Sequence, residues 1–398
     1  MRVLALTHRT PFPPDKGDKI RTHHLLTRVA REAEVHLVAF AEPPSDRAHA
    51  ARLRRHFASV TLLPLDARLQ KALALPWALS SRPLTLPAFD TPAMRRAVDD
   101  VARGVKPDVV FAESTSMAPH ALRHPELPLV MDFVDVDSAK WRAYAERSRP
   151  PARQVYAREA TTLERFEREV AQRAAVSVIT APREKALLDA IAPGCDVRVL
   201  ENGVDTDYFT PAPSPAREPS AVFFGAMDYH ANVEAAVFLA REVMPRLRER
   251  FGRFRLVIAG SKPAPEVRAL ASDDVVVTGY VDDIRPWVRG CAVCAIPLRV
   301  ARGVQNKVLE AMAMSVPVVC SPAAAEGIDA VPGDHLAVAD YGYDGRHVAE
   351  AVASLVEHPD LAESLGAAGR ARVVERYGWE PKARALSAIL REAAARRS

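Results

Sequence analysis

Lys307 and Glu310 stand three residues apart in Arg299-Val300-Ala301-Arg302-Gly303-Val304-Gln305-Asn306-Lys307-Val308-Leu309-Glu310, just after an apolar run that ends at Pro297. On a helix that spacing puts both side chains on one face. Gly303 lets the backbone turn tightly into such a helix, whose first N–H groups are open to an anion. An ammonium at Lys307 suits a diphosphate, and a carboxylate at Glu310 can accept from two neighbouring hydroxyls, as a ribose diol presents. The same spacing also makes an ordinary surface ion pair worth ~0.2–0.5 kcal/mol, and the residues alone leave both readings open.

Further candidates stand in the first half. His8-Arg9-Thr10-Pro11-Phe12-Pro13-Pro14-Asp15-Lys16-Gly17-Asp18-Lys19 reads as a long loop after a first strand. In it Arg9, Lys16 and Lys19 supply positive charge and Gly17 permits close approach; a solvated Pro-rich turn is the alternative. Asp135-Val136-Asp137 has the DxD spacing that can chelate a divalent metal. Because it lies in the half away from Lys307, no metal is expected. Asp132, Asp135 and Asp137 are instead candidates at the end of the apolar run 127–133. His120 closes the loop ESTSMAPH and can reach the same edge, although a lone histidine is more often structural. Cys291 and Cys294 form a CxxC inside the strand-like run CAVCAI, where positions three apart face opposite sides. They suit a core rather than a zinc or redox site.

These residues need elements to hold them. The 398-residue chain is long enough for two α/β domains. Apolar runs at 3–7, 35–40, 60–65, 108–112, 127–133 and 175–181 alternate with helix-like segments, and the pattern restarts with runs at 221–226, 255–260, 274–280, 292–298 and 316–321. Continuous apolar strands between helices imply parallel sheets covered on both faces. The expected organisation is a first domain over 1–203, a Pro-rich linker over 204–219 and a second domain over 220–378. A helix over 379–398 either caps the second domain or crosses back to the first. Two such domains are expected to bind a ligand at the carboxyl ends of their strands, in a central cleft.

The missing motifs weaken several classes. No GxGxxG follows a strand, and GxxxxGK[ST], GxSxG and HExxH are absent, which argues against dinucleotide dehydrogenases, P-loop NTPases, serine hydrolases and zincins. Four cysteines make no disulfide framework. No run approaches the ~20 apolar residues of a membrane span, and the N-terminal run is too short for a signal segment, so a cytoplasmic location is expected.

The run GVQNKVLEAMAMSVPVV resembles the donor-site signature of the group 1 (family four) glycosyltransferases. Asn202-Gly203-Val204-Asp205 with Tyr208-Phe209 resembles that family's interdomain signature, and Phe223-Phe224-Gly225 with Asn232 the first strand of its C-terminal domain. VDVDSAKW (134–141) and QNKVLEAMAM are similar to bacterial sugar transferases associated with exopolysaccharide and exosortase systems. The resemblance implies an α/β GT-B fold of two Rossmann-like domains. It also implies retaining transfer from a nucleotide-diphosphate sugar, with no cofactor and no metal. The second domain would bind the donor through Gly225, Arg299, Arg302, Gly303, Val304, Gln305, Asn306, Lys307 and Glu310. Lys307, Glu310, His120 and Asp135 are the catalytic candidates, and Arg9, Lys16, Gly17 and Lys19 would form the acceptor and phosphate loop. The chain departs from the pattern at Arg302, where the family carries its first glutamate. It departs again at Ser315, often glycine in the family, where only packing should be affected. A nucleotide-sugar epimerase of the same fold and a non-catalytic scaffold in a polysaccharide assembly are the alternatives.

Residues 1–200 hold 31 Lys and Arg against 24 Asp and Glu, a net of +7, while the remainder nets −3. With the basic stretch 47–57 and the apolar, Trp77-containing stretch 69–79, this suggests peripheral contact with an anionic inner membrane and a lipid-linked or saccharide acceptor. A solvated helix face and a segment packed on the sheet fit those stretches too. No nucleic acid partner is expected.

Overall fold

The computed structural model describes residues 1–14, 17–41, 49–65, 82–212, 218–301, 304–342 and 344–396. The chain divides into two compact units, residues 1–202 with 379–398, and residues 203–378.

Unit 1 is built on a sheet of strands β1 (Arg2–Thr7), β2 (Glu34–Ala41), β3 (Ser59–Pro64), β4 (Val109–Glu113), β5 (Leu129–Val134), β6 (Val176–Ile179) and β7 (Val197–Val199). Their order is β3-β2-β1-β4-β5-β6-β7, and every pairing is parallel. The uninterrupted apolar runs are what a sheet buried on both faces requires. Helices α1 (Gly17–Val29), α2 (Pro92–Val105), α3 (Asp137–Arg147) and α4 (Ala152–Arg173) flank it. The chain leaves β1 toward β2 on one side and returns to β4 on the other. The gap between the ends of β1 and β4 is therefore a topological switch point, where α/β sheets open a crevice.

Unit 2 repeats the plan. Strands β8 (Ser220–Phe224), β9 (Arg255–Ala259), β10 (Val275–Gly279), β11 (Val293–Ile296), β12 (Val318–Cys320) and β13 (Ala337–Val338) pair in the order β10-β9-β8-β11-β12-β13, all parallel. Its switch point lies between β8 and β11. Helix α5 (His230–Phe238) follows β8, α6 (Asn306–Ala313) follows β11, and α7 (Pro359–Tyr377) packs on α6. Cys291 and Cys294 are buried in this core.

Helix α8 (Trp379–Ala395) belongs to unit 1, where Trp379, Leu386, Ile389 and Leu390 join the core formed by Leu25, Leu26 and Val29 of α1. The stretch 204–219 is not a separate linker over its described part. Val204 is buried in the unit 2 core and its N–H donates to Tyr377 O at 2.7 Å, which ties this stretch to unit 2. Residues 213–217 lie outside the described residues.

Candidate functional site

At the carboxyl edge of the unit 2 sheet, a glycine stands at or just past the end of each of three neighbouring strands, β8, β9 and β10. Gly225 has φ +150°, Gly260 φ +148° and Gly279 φ +69°, values that L side chains rarely adopt. A Cβ on Gly260 would lie 1.7 Å from Gly225 O. Gly260 thus packs directly on the backbone of Gly225, whereas a Cβ on Gly279 would meet nothing within 4 Å.

Lys307 reaches this edge from the first turn of α6. Its Nζ donates to Asn232 Oδ1 at 2.5 Å and lies 5.0 Å from the centre of the Phe223 ring. A Cβ on Gly225 would sit 3.2 Å from that Nζ and 2.9 Å from Asn232 Nδ2. Asn232 is itself fixed, since its amide donates to Ala226 O at 2.9 Å. Burial pulls the Lys307 ammonium down to about 8, an effect that neighbouring Cys294 and Glu310 only partly offset. Burial pushes Glu310, one turn further along α6, up to about 7 against the pull of Lys307. The pair is therefore poised near neutrality and is no exposed ion pair.

The other donor candidates vary. Gln305 stands at the N-cap position of α6 without a side-chain capping bond, and Asn306 opens the helix. Val304 approaches Gly327, where a Cβ would lie 3.8 Å from its Cγ2. Arg299 is exposed and directed at Glu234 of α5, 3.4 Å away, so its charge is shared with a carboxylate. Arg302 and Gly303 lie outside the described residues. The residue reading gave no site role to Asn232, Gly260 or Gly279. The signal was present, because the runs AVFFG, RLVIAG and VVVTG all end in glycine.

The switch point of unit 1 carries a different chemistry. His8 follows β1, and β4 ends at Glu113, the residue paired with Thr7. His8 Nδ1 lies 2.8 Å from Glu113 Oε2 and its Nε2 lies 3.2 Å from Asp18 Oδ2. Burial alone would lower the imidazole, but the two carboxylates override it and raise His8 to about 10. The imidazolium and Arg9, whose Nη1 donates to Asp18 at 2.7 Å, hold Asp18 well below the usual carboxylate range despite its own burial. Behind this group, Arg21 and Asp132 form a buried pair at 2.8 Å. Asp135 is exposed just past β5 and accepts from Thr180 Oγ1 at 3.2 Å.

Three expectations for unit 1 are corrected. The loop after β1 is shorter than read, because helix α1 already begins at Gly17, and Lys19 is buried within it; Lys16 lies outside the described residues. His120 does not reach the strand edge. It is fully buried, with Nε2 on Phe89 O at 2.9 Å, and burial lowers its basicity. Asp132 is likewise committed to Arg21 inside the core. Among the described residues no three His, Cys, Asp or Glu side chains converge as metal ligands.

Residues 218–358 match the family model described as glycosyl transferases group 1. Among curated proteins, the chain is 28% identical over 240 residues to the GDP-mannose-dependent alpha-(1-6)-phosphatidylinositol monomannoside mannosyltransferase of Mycobacterium tuberculosis, covering 54% of this chain and 61% of that one. It is 30% identical over 247 residues to the alpha-maltose-1-phosphate synthase of the same organism, covering 53% and 60%. The chain thus spans about three fifths of the curated relatives it matches. Among solved structures, sucrose-phosphate synthase from Thermosynechococcus elongatus superposes with a TM-score of 0.69 at 17% identity over 100% of both chains. HepE from Anabaena in complex with UDP gives 0.68 at 14% identity over 98% of this chain and 100% of that one. Residues 218–358 are therefore a group 1 glycosyltransferase domain, carried in a chain whose two parallel-sheet units have the GT-B fold.

Proposed function

We propose that this protein is a glycosyltransferase that binds a nucleotide-diphosphate sugar at the glycine-bearing sheet edge of unit 2 and passes the sugar to an acceptor received by unit 1. The observation that carries this reading is the Lys307 ammonium, held by Asn232 directly against Gly225 at the end of β8. As the glycosidic bond breaks, negative charge builds on the departing diphosphate. A preorganised ammonium in a water-poor site stabilises that charge more than it stabilises the bound donor. Glu310 accepts hydrogen bonds from the ribose hydroxyls. Relatives differ in donor, since one is GDP-mannose-dependent and a solved neighbour holds UDP, so the base and sugar are set by contacts beyond those described.

On the acceptor side, Asp135 and the His8–Glu113–Asp18 group offer acceptors and one fixed positive charge to a hydroxyl-rich ligand. We place the activity in exopolysaccharide or glycoconjugate synthesis, with a lipid-linked or saccharide acceptor met at the inner face of the cytoplasmic membrane. Transfer retains anomeric configuration and uses no metal.

A thermal-shift panel of UDP-, GDP- and ADP-sugars tests the reading. A donor at ~100 times its dissociation constant adds ~2.7 kcal/mol of stability, and Glu310→Gln should remove most of that gain. No stabilisation by any nucleotide sugar would refute the assignment. Donor hydrolysis or transfer should also survive excess EDTA; loss restored by Mn²⁺ or Mg²⁺ would reverse the metal-free reading.

A further inference from the structure

The stretches of unit 1 expected to face a membrane, 47–57 and 69–79, are described only in part. In 47–57 the described helix covers only Ala50–Leu53, and Leu53 and Phe57 are buried. Stretch 69–79 lies outside the described residues. A different element has the required character.

Helices α3 and α4 form an antiparallel hairpin that starts at the carboxyl end of β5, beside Asp135, and ends where the chain enters β6. At 1.5 Å per residue, the 22 residues of α4 span about 33 Å. The six residues of β5 span only about 20 Å. The hairpin therefore overhangs the sheet edge. Burial agrees: the buried residues of α4 begin at Glu159, while none of 152–158 is buried.

The overhang carries three aromatic side chains that pack on one another outside the core clusters. Trp141 lies 5.8 Å from Tyr144 and 5.3 Å from Tyr156, and the two tyrosines are 6.2 Å apart between ring centres. Tyr144 and Val155 are each 46% exposed. Between Ser138 and Arg158 stand six Lys and Arg against one acidic residue, Glu146. Arg142 is paired with Glu164, but Arg149 and Arg153 are exposed and have no acidic partner among the described residues. Amphipathic Trp and Tyr rings favour the depth of lipid headgroups, and unpaired arginines favour an anionic surface.

We propose that the tip of the α3–α4 hairpin is the element that docks this protein on anionic phospholipid bilayers. The aromatic trio enters the headgroup layer while Arg149 and Arg153 meet lipid phosphates. The inference rests on the reading of peripheral membrane contact and specifies its site, next to the strand edge proposed to receive the acceptor.

The test is flotation of the full chain with phosphatidylcholine vesicles, with and without phosphatidylglycerol, at low and high salt. The wild-type chain should float with the anionic vesicles at low salt and be released at high salt. Arg149→Gln with Arg153→Gln should lower vesicle partitioning roughly thirtyfold, the loss expected when two charges leave an anionic surface. Trp141→Phe should abolish most of the blue shift of tryptophan fluorescence on binding. Stabilisation by UDP or GDP, measured in parallel, shows that each variant is folded and reports separately on the donor site. Wild-type protein that ignores anionic vesicles while still binding nucleotide overturns the membrane proposal and leaves the transfer reading standing. Variants that bind vesicles as well as wild type, or that instead change the oligomeric mass, also overturn it.

Discussion

Lys307 and Glu310 illustrate how a helix spacing acquires chemistry from its surroundings. On a solvated helix they would titrate far apart, whereas here burial brings them to about 8 and about 7. The Lys307 ammonium is present below about pH 8 and is lost as pH rises through it. The Glu310 carboxylate is present above about pH 7 and is lost as pH falls through it. Affinity of the unliganded protein for UDP or GDP should therefore peak between these values and fall on both sides. Calorimetric titration across pH checks this. A terminal phosphate also protonates at about pH 6, so the informative readout is the ratio to Glu310→Gln, which should lose the acid-side fall attributable to the protein. For Lys307→Ala, turnover should drop by roughly 10²–10³, the scale of losing one preorganised donor, with a smaller change in donor affinity. Equal losses in both would make Lys307 a ground-state ligand.

At the scale of elements, the backbone decides what the side chains can reach. Ser315 ends the turn after α6 with φ +54°, in the left-handed region. The family's frequent glycine at this position therefore reflects backbone conformation and not packing alone, which corrects the expectation from sequence. A residue with a Cβ is disfavoured there by about 1–2 kcal/mol, so Ser315→Gly should raise thermal stability and leave nucleotide affinity unchanged. A lower melting temperature would show that the serine side chain makes a compensating contact. Gly260 obeys the opposite logic, since the 1.7 Å approach there leaves no room for any side chain.

At the scale of the whole molecule, helix α8 completes the core of the unit from which it is most distant in sequence. Trp379 is 2% exposed and stacks on His24 with ring centres 5.2 Å apart. Lys382 pairs with Glu201 at 2.9 Å, and Arg198 with Glu392 at 2.6 Å. Each large apolar side chain returned to water costs about 1.5–3 kcal/mol. Deleting residues 379–398 exposes several at once, a loss comparable to a domain's entire stability of roughly 5–15 kcal/mol. Hydrogen exchange should then show β1 to β7 unprotected while β8 to β13 keep their protection. Intact protection of β1 would mean that unit 1 folds without the helix.

The sequence alone determined the α/β class, the two-fold repetition of the strand pattern and the Lys307–Glu310 face, because periodicity and helical spacing are local. Resemblance added the GT-B architecture and implied a donor role for that face. Tertiary structure decided what depends on neighbours distant in the chain. It tied Lys307 to Asn232, packed Gly260 on the backbone of Gly225, and placed His8 between Asp18 and Glu113. It also withdrew His120 into a core, and no spacing could have foretold that, since a histidine's exposure is set by the elements packed over it. Strand order was equally invisible in the sequence. Parallel pairing through crossover helices brings together residues a hundred positions apart, and only the folded chain shows which pairs meet.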